Sequence, residues 1–190
     1  MSGFRSAVKP RVSYERMSDR IEIRRLTADD LQTHVDALAA VLADCVAGGA
    51  SVSFMAPFSH DDARAAFGGM ADEAARGNRL ILAAFDDGRV VGSVQIVLAV
   101  PPNQPHRAEI AKLLVSSASR KRGIAQRLME AAEAEARAEG KSLLVLDAVT
   151  GGDAARLYAR LGWTTVGVIP NYALYPDGRP CDTTVFWKAI

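Results

Sequence analysis

The residues best suited to chemistry run from Val115 to Ala125, Val-Ser-Ser-Ala-Ser-Arg-Lys-Arg-Gly-Ile-Ala. An apolar run from Ile110 to Val115 ends there in small polar residues, followed by Arg120-Lys121-Arg122-Gly123 and an amphipathic pattern. That order predicts a strand, a turn rich in main-chain N–H groups, and a helix start. A helix start presents unpaired donors and the positive end of its dipole, which suits a phosphate or pyrophosphate. Gly123 lets the backbone approach an anion closely, and the basic side chains add charge-assisted donors. Two carboxylates also stand out. Glu109 lies on the preceding strand with the pleat parity of Ala111, Leu113 and Val115. Asp147 interrupts the otherwise apolar strand Ser142–Val149, where a charge is costly unless paired.

The basic turn matches neither of the common phosphate motifs. Two of the three dinucleotide-fingerprint glycines are missing, and no Gly-Lys-Ser/Thr follows as in a P-loop. The elements that must position it alternate along the chain. A strand over Arg20–Leu26 precedes a helix capped by Thr27 or Asp29 and ended near Ala47 by Gly48-Gly49. A loop around Ala50–Pro57 leads to a second helix, from about Ser59-His60-Asp61 to Arg76-Gly77. Strands over Arg79–Phe85 and Val90–Val100 flank the turn Asp86-Asp87-Gly88-Arg89. The breaker cluster Pro101–Pro105 precedes a strand over Arg107–Val115.

In the helix after the basic turn, Ala125, Leu128, Met129, Ala132 and Ala136 share one face, leaving Arg127, Glu130, Glu133 and Arg137 to solvent; Gly140 ends it. Ser142–Val149 reads as a strand buried on both faces. Asp153 is placed to cap a short helix carrying Leu157, Tyr158 and Leu161, which Gly162 closes. Strands near Thr164–Ile169 and Thr183–Lys188 finish the chain. The order β-α-α-β-β-β-α-β-α-β-β predicts an α/β (α+β mixed) domain on a mixed sheet.

At 190 residues, one domain over residues 20–190 is expected, after a tail over residues 1–19 without clear period. Met17, just ahead of the first strand, is a second candidate start of translation. Twenty-three basic against 22 acidic residues give a net charge of +1, which lacks the one-sided basic field of a nucleic-acid binder. No apolar run approaches the ~18 residues of a membrane span, and no signal peptide is evident, so cytoplasmic residence is expected. Cys45 and Cys181 fit no disulfide or metal spacing and read as buried thiols in a reducing compartment. His34, His60 and His106 read as surface residues, and no metal constellation exists.

The segment Arg120-Lys-Arg-Gly-Ile-Ala125, between a central strand and a helix, resembles motif A of the GNAT N-acetyltransferases. Ala154-Ala-Arg-Leu-Tyr158-Ala-Arg-Leu-Gly162-Trp163 is similar to that superfamily's later Ala-x-x-Leu-Tyr-x-x-x-Gly-Phe segment. Gly48–Met55, Arg107–Val115, Leu146-Asp147 and Pro176–Arg179 look like the tabtoxin-resistance acetyltransferase branch. Two departures are Gly151, where many members carry a cofactor-touching Asn, and Ala125 for the commoner glycine.

The resemblance implies a largely antiparallel twisted sheet of about seven strands with four helices and splayed central strands. It implies acetyl-CoA as cofactor, with its diphosphate on the N–H groups of Arg122, Gly123, Ile124, Ala125 and Gln126 and on Arg120 and Lys121. The pantetheine arm would pair with Leu113, Leu114 and Val115, and Asp153 would add a cofactor contact. For such a transfer, the carboxylate of Glu109 on the central strand suggests a general base, directly or through water, and Asp147 in its apolar strand either binds the acceptor ammonium or helps deprotonate it. Tyr158 resembles the family tyrosine that protonates the departing sulfur. Ser51, Ser53, Phe54 and Met55 are the candidates for shaping the acceptor pocket. The implied activity is acetyl transfer to a small-molecule amine, such as an amino acid-like toxin or antibiotic, and the family's habit implies a homodimer. A non-catalytic CoA-binding sensor and a protein N-terminal or lysine acetyltransferase are the alternatives.

Overall fold

Residues 21–190 are described by the structure, a computed structural model; the expected tail and the Met17 start lie outside them. The strands are β1 (Ile21–Arg25), β2 (Arg79–Asp86), β3 (Arg89–Val97), β4 (Arg107–Val115), β5 (Leu143–Val149), β6 (Thr164–Leu174) and β7 (Pro180–Ala189). The helices are α1 (Ala28–Ala47), α2 (His60–Ala75), α3 (Ile124–Ala138) and α4 (Asp153–Arg160). The strands form one sheet in the order β1-β2-β3-β4-β5-β7-β6. Every neighbouring pair is antiparallel except β4–β5.

Local chemistry explains the elements that lead to the site. Capping boxes start α1 (Thr27 with Asp30) and α2 (Ser59 with Asp62), so each first turn is satisfied from within. The β2–β3 hairpin turns through Asp87 and Gly88, both at positive φ. One face of the sheet packs under α3, whose Leu128, Met129, Ala132 and Ala136 are fully buried with Ile110, Leu144 and Leu146. Ile124, rather than Ala125, completes the buried stripe. The other face, over β2 to β4, packs under α1 and α2 through Leu38, Leu42, Phe67, Phe85 and Leu114. Both cysteines are buried and free.

Several expectations are corrected. Glu133 is 7 % exposed rather than solvated. Lys188 Nζ donates to both of its carboxylate oxygens (2.8 and 2.7 Å) and Trp163 Nε1 to one of them (3.1 Å), so a satisfied ion pair replaces solvent. Strand β5 is buried on one face only: Leu144 and Leu146 are covered, while Asp147 is exposed. The final hairpin is longer than its sequence pattern suggests, because β6 exposes Val166, Val168, Ile169, Tyr172 and Leu174 and so lacks alternation. Helix α4 starts after Gly152, making Asp153 its first residue rather than its cap.

Gly92 has a role that its sequence context does not reveal. A Cβ there would meet the Leu114 carbonyl oxygen at 2.7 Å and Leu128 Cδ1 at 3.3 Å. Gly92→Ala is expected to cost about 1–3 kcal/mol, as overpacking does. Urea unfolding checks this, and an unchanged midpoint would show that the backbone yields without cost.

Candidate functional site

The parallel pairing of β4 with β5 covers only Arg107↔Leu143, Ala108↔Leu144 and Glu109↔Val145. Beyond that point β4 continues with β3 as far as Val115↔Gly92, whereas β5 follows β7 as far as Val149↔Thr183. The two strands part, leaving a V-shaped cleft whose β4 and β5 edges have no partner strand among the described residues. His106, at the closed end of the V, is exposed and outside the cleft.

A β-bulge shapes the β4 wall. Ser93 pairs with Leu114 but Gln95 with Ala111, so Lys112 and Leu113 together oppose Val94, with Lys112 at φ 51°. The extra residue reverses the strand's alternation. Ala108 and Ile110 face the α3 core, as do Leu113 and Val115 after the bulge, while Leu114 joins the α1–α2 core. The expected common parity of Glu109, Ala111, Leu113 and Val115 therefore fails: Glu109 and Ala111 face the opposite side from Leu113 and Val115.

At the open end of the V lies the start of α3. Gly123 is its N-cap at φ 76°, no side chain caps it, and its first turn holds no acid. The first intrahelical bond runs from Arg127 N to Gly123 O (3.1 Å), so the N–H groups of Ile124, Ala125 and Gln126 precede the ladder. Space beside Gly123 is open among the described residues, with none of their atoms within 4 Å of where a Cβ would stand. The preceding loop is strapped to α1, because Asp44 accepts from Ser117 N (2.6 Å) and Ser117 Oγ (2.8 Å).

Two of the expected basic contacts have other partners. Arg122 Nη1 pairs with Asp86 at 2.7 Å, and Arg120 Nε donates to the Val115 carbonyl at 3.3 Å. The cradle is thus chiefly main chain, with the exposed Lys121 beside it. Asp153 is exposed and ion-paired with Arg156 on its own helix.

The sheet face that leads to the cleft carries charge of both signs. Arg79, Val97, Glu109 and Val145 form one row across four strands, and Asp147 follows Val145 on the same face. Although solvent reaches Asp147, partial desolvation by the cleft walls raises its carboxyl above the ordinary value, with Lys112 opposing. Burial also lowers the ammonium of Lys112, with nearby Arg79 adding to the effect and Asp147 and Glu109 opposing. Tyr158 is buried, its ring against Phe186 (5.6 Å) and Trp163 (6.0 Å). Burial, and secondarily Asp147, raises its phenol well above the usual range, which keeps it protonated.

The loop between α1 and α2 closes the far wall. Ser51 Oγ donates to the Leu174 carbonyl (2.7 Å) and Ala56 N to that of Pro176 (2.9 Å), tying this loop to the β6–β7 tip. Ser53 Oγ accepts from Lys112 Nζ at 2.9 Å, Phe54 stacks on Phe58, and Met55 is exposed. Of the expected acceptor residues, Ser51 serves the wall, while Ser53 and Phe54 meet Lys112.

Sequence reasoning passed over Lys112, Arg79 and Gln95. A lysine inside the run Ile110–Val115 was the available signal, of the same kind that singled out Asp147. Gln95 is fully buried and accepts from Arg79 Nη1, a pairing that only the β2–β3 register creates. Among the described residues there is no group of side chains that could hold a metal ion, and no helix is long and apolar enough to cross a membrane.

A family model described as the acetyltransferase (GNAT) family matches residues 50–163. The fold is similar to that of an N-acetyltransferase from Staphylococcus aureus Mu50, with a TM-score of 0.73 and 22% identity over 89% of this chain and 98% of that one. It is similar to yncA from Salmonella typhimurium, solved with its cofactor acetyl-CoA (TM-score 0.73, 20% identity, 90% of this chain and 94% of that one). It is also similar to a ribosomal-protein-alanine N-acetyltransferase from Brucella melitensis (TM-score 0.70, 23% identity, 89% and 99%).

Proposed function

The chain belongs to the acetyltransferase (GNAT) family, and from that premise we propose that it transfers acetyl from acetyl-CoA to the amine of a small molecule by direct attack. One catalytic domain over residues 20–190, resident in the cytoplasm, is part of this reading. The observation that carries it is the parting of β4 from β5 beside an uncapped helix start. A diphosphate fits the first turn of α3, which presents donors, open space at Gly123 and no competing acid. The β4 edge beyond Glu109, where pairing with β5 has ended, suits an extended amide-bearing arm. Bound there, acetyl-CoA supplies an acyl group activated as a thioester.

The chain's own residues then divide the work. Asp147 binds the acceptor's ammonium, and Glu109, on the same face, takes the proton that the nitrogen must lose before attack, directly or through water. Tyr158 holds a proton at its hydroxyl for the departing thiolate. The resemblance to the tabtoxin-resistance branch supports an amino acid-like acceptor. So does the wall formed where Ser51 and Ala56 tie the α1–α2 loop to the β6–β7 tip, since it narrows the cleft. The apolar side chains exposed along β6 support a homodimer.

Thiol release from acetyl-CoA across an amine panel, with the acetylated product identified by mass, tests the activity. Binding of acetyl-CoA without turnover on any amine would instead support a sensor. Gly123→Val places a β-branched residue at positive φ at the cradle. It is expected to weaken acetyl-CoA binding roughly tenfold or more, as read by calorimetry at unchanged far-UV circular dichroism. Unaltered affinity would remove the helix start from the diphosphate site.

A further inference from the structure

We propose that the acceptor carries an acid group as well as its reactive amine, and that Lys112 is the cation that receives the acid. This rests on the small-amine transferase reading and narrows its substrate class to zwitterions.

Lys112 occupies the bulge of β4, where the strands have already parted. A charged residue at positive φ in mid-strand serves neither the pleat nor the core. Its Nζ reaches across to the α1–α2 loop, donating to Ser53 Oγ at 2.9 Å and lying 5.7 Å from the centre of the Phe54 ring. An ammonium has three donors, so two remain for a ligand. The side chain is half-buried, and among the described residues it forms no ion pair within 4 Å. Glu109 and Asp147 influence it electrostatically but do not contact it. Arg79 adds a second positive charge to the same surroundings, held by Gln95, with its Nε buried and without a partner among the described residues.

Two cations and two carboxylates therefore lie near one another at the same face of the sheet, and among the described residues none of them ion-pairs with another. Leaving a half-buried ammonium without a touching counter-charge is unfavourable, and an anionic ligand group removes that cost. A ligand with an ammonium and a carboxylate satisfies both ends, with its nitrogen toward Asp147 and Glu109 and its acid group toward Lys112 and Ser53. An amine without an acid group leaves Lys112 unanswered, and selectivity arises from that difference.

The test uses the twenty standard amino acids, each beside its α-amide, with saturating acetyl-CoA and the full chain. The expected result is that wild type acetylates at least one acid with kcat/KM roughly 10- to 100-fold above that for its amide, the range of a charge-assisted hydrogen bond. Lys112→Met, similar in length and confirmed folded by its thermal transition, should close that gap by lowering the rate on the acid far more than on the amide. Lys112→Arg should keep part of the preference. Equal rates on acids and amides in wild type overturn the proposal. So does an equal loss on both in Lys112→Met, which indicates a structural lysine. Silence toward all twenty acids while another amine is acetylated also overturns it and leaves the transferase reading standing. Absence of acetyl-CoA binding by calorimetry removes that reading itself, and this proposal with it.

Discussion

Tyr158→Phe is expected to lower kcat by roughly 10²- to 10⁴-fold, the range of a positioned general acid, with acetyl-CoA affinity changed little. The ring is held on Phe186 and Trp163, and phenylalanine keeps both contacts, so the fold should be unaffected. Only the hydroxyl is lost, and among the described residues that hydroxyl has no hydrogen-bond partner to leave unsatisfied. Burial and the neighbouring Asp147 both hold the phenol in its protonated form. A group kept protonated through neutral pH can give a proton to a departing thiolate and is a poor base. Steady-state kinetics with separate calorimetry of acetyl-CoA decides the matter. A wild-type kcat would return Tyr158 to core packing, and a parallel loss of affinity would make it a binding residue.

The cleft depends on two departures from regular sheet geometry. A parallel pair joined over three rungs forces β4 and β5 to part, because each is held more extensively by its other neighbour. The bulge then turns Lys112 out of the alternation and hands Leu114 to the opposite core. Neither departure is encoded by a residue in the cleft alone. Gly92 matters here, since its missing Cβ lets β3 and the Leu114 carbonyl lie close beside the bulge.

What could be read from the sequence follows from how local each signal is. Helices α1 and α2 announce themselves through Thr27 with Asp30 and Ser59 with Asp62, whose bonds span three residues. The β2–β3 turn is legible from Asp87-Gly88, and the element order and the start of α3 from periodicity and Gly123. The bulge is not legible, because Lys112 gains its positive φ only against β3. Glu133 reads as solvent because its partners, Trp163 and Lys188, are 30 and 55 residues away. Strand β5 reads as buried on both faces because Leu, Val and Ala line it, whereas helix cover exists on only one side at Asp147. For Asp153, the helical boundary shifts by one residue, and Arg156 then takes the carboxylate.

Glu109→Gln and Asp147→Asn should separate cleanly, because the two carboxylates share a face but not a place on it. Glu109 sits at the last rung joining β4 to β5, and Asp147 two residues beyond that rung, in the open part of the V. Glu109→Gln is expected to lower kcat about 10²- to 10⁴-fold with a small change in KM for the amine, since glutamine cannot take a proton. Asp147→Asn should mainly raise that KM, by roughly 10-fold or more, because it removes the charge that meets the ammonium. The pH dependence gives an independent check. Partial desolvation raises the Asp147 carboxyl, so its ionised form is lost, as pH falls, at a higher pH than for an ordinary aspartate. KM for the amine should therefore begin to rise on acidification above the ordinary carboxylate range, and this limb should vanish in Asp147→Asn. Were the acid limb to appear in kcat and disappear with Asp147→Asn instead, Asp147 would be the base and Glu109 the residue that binds.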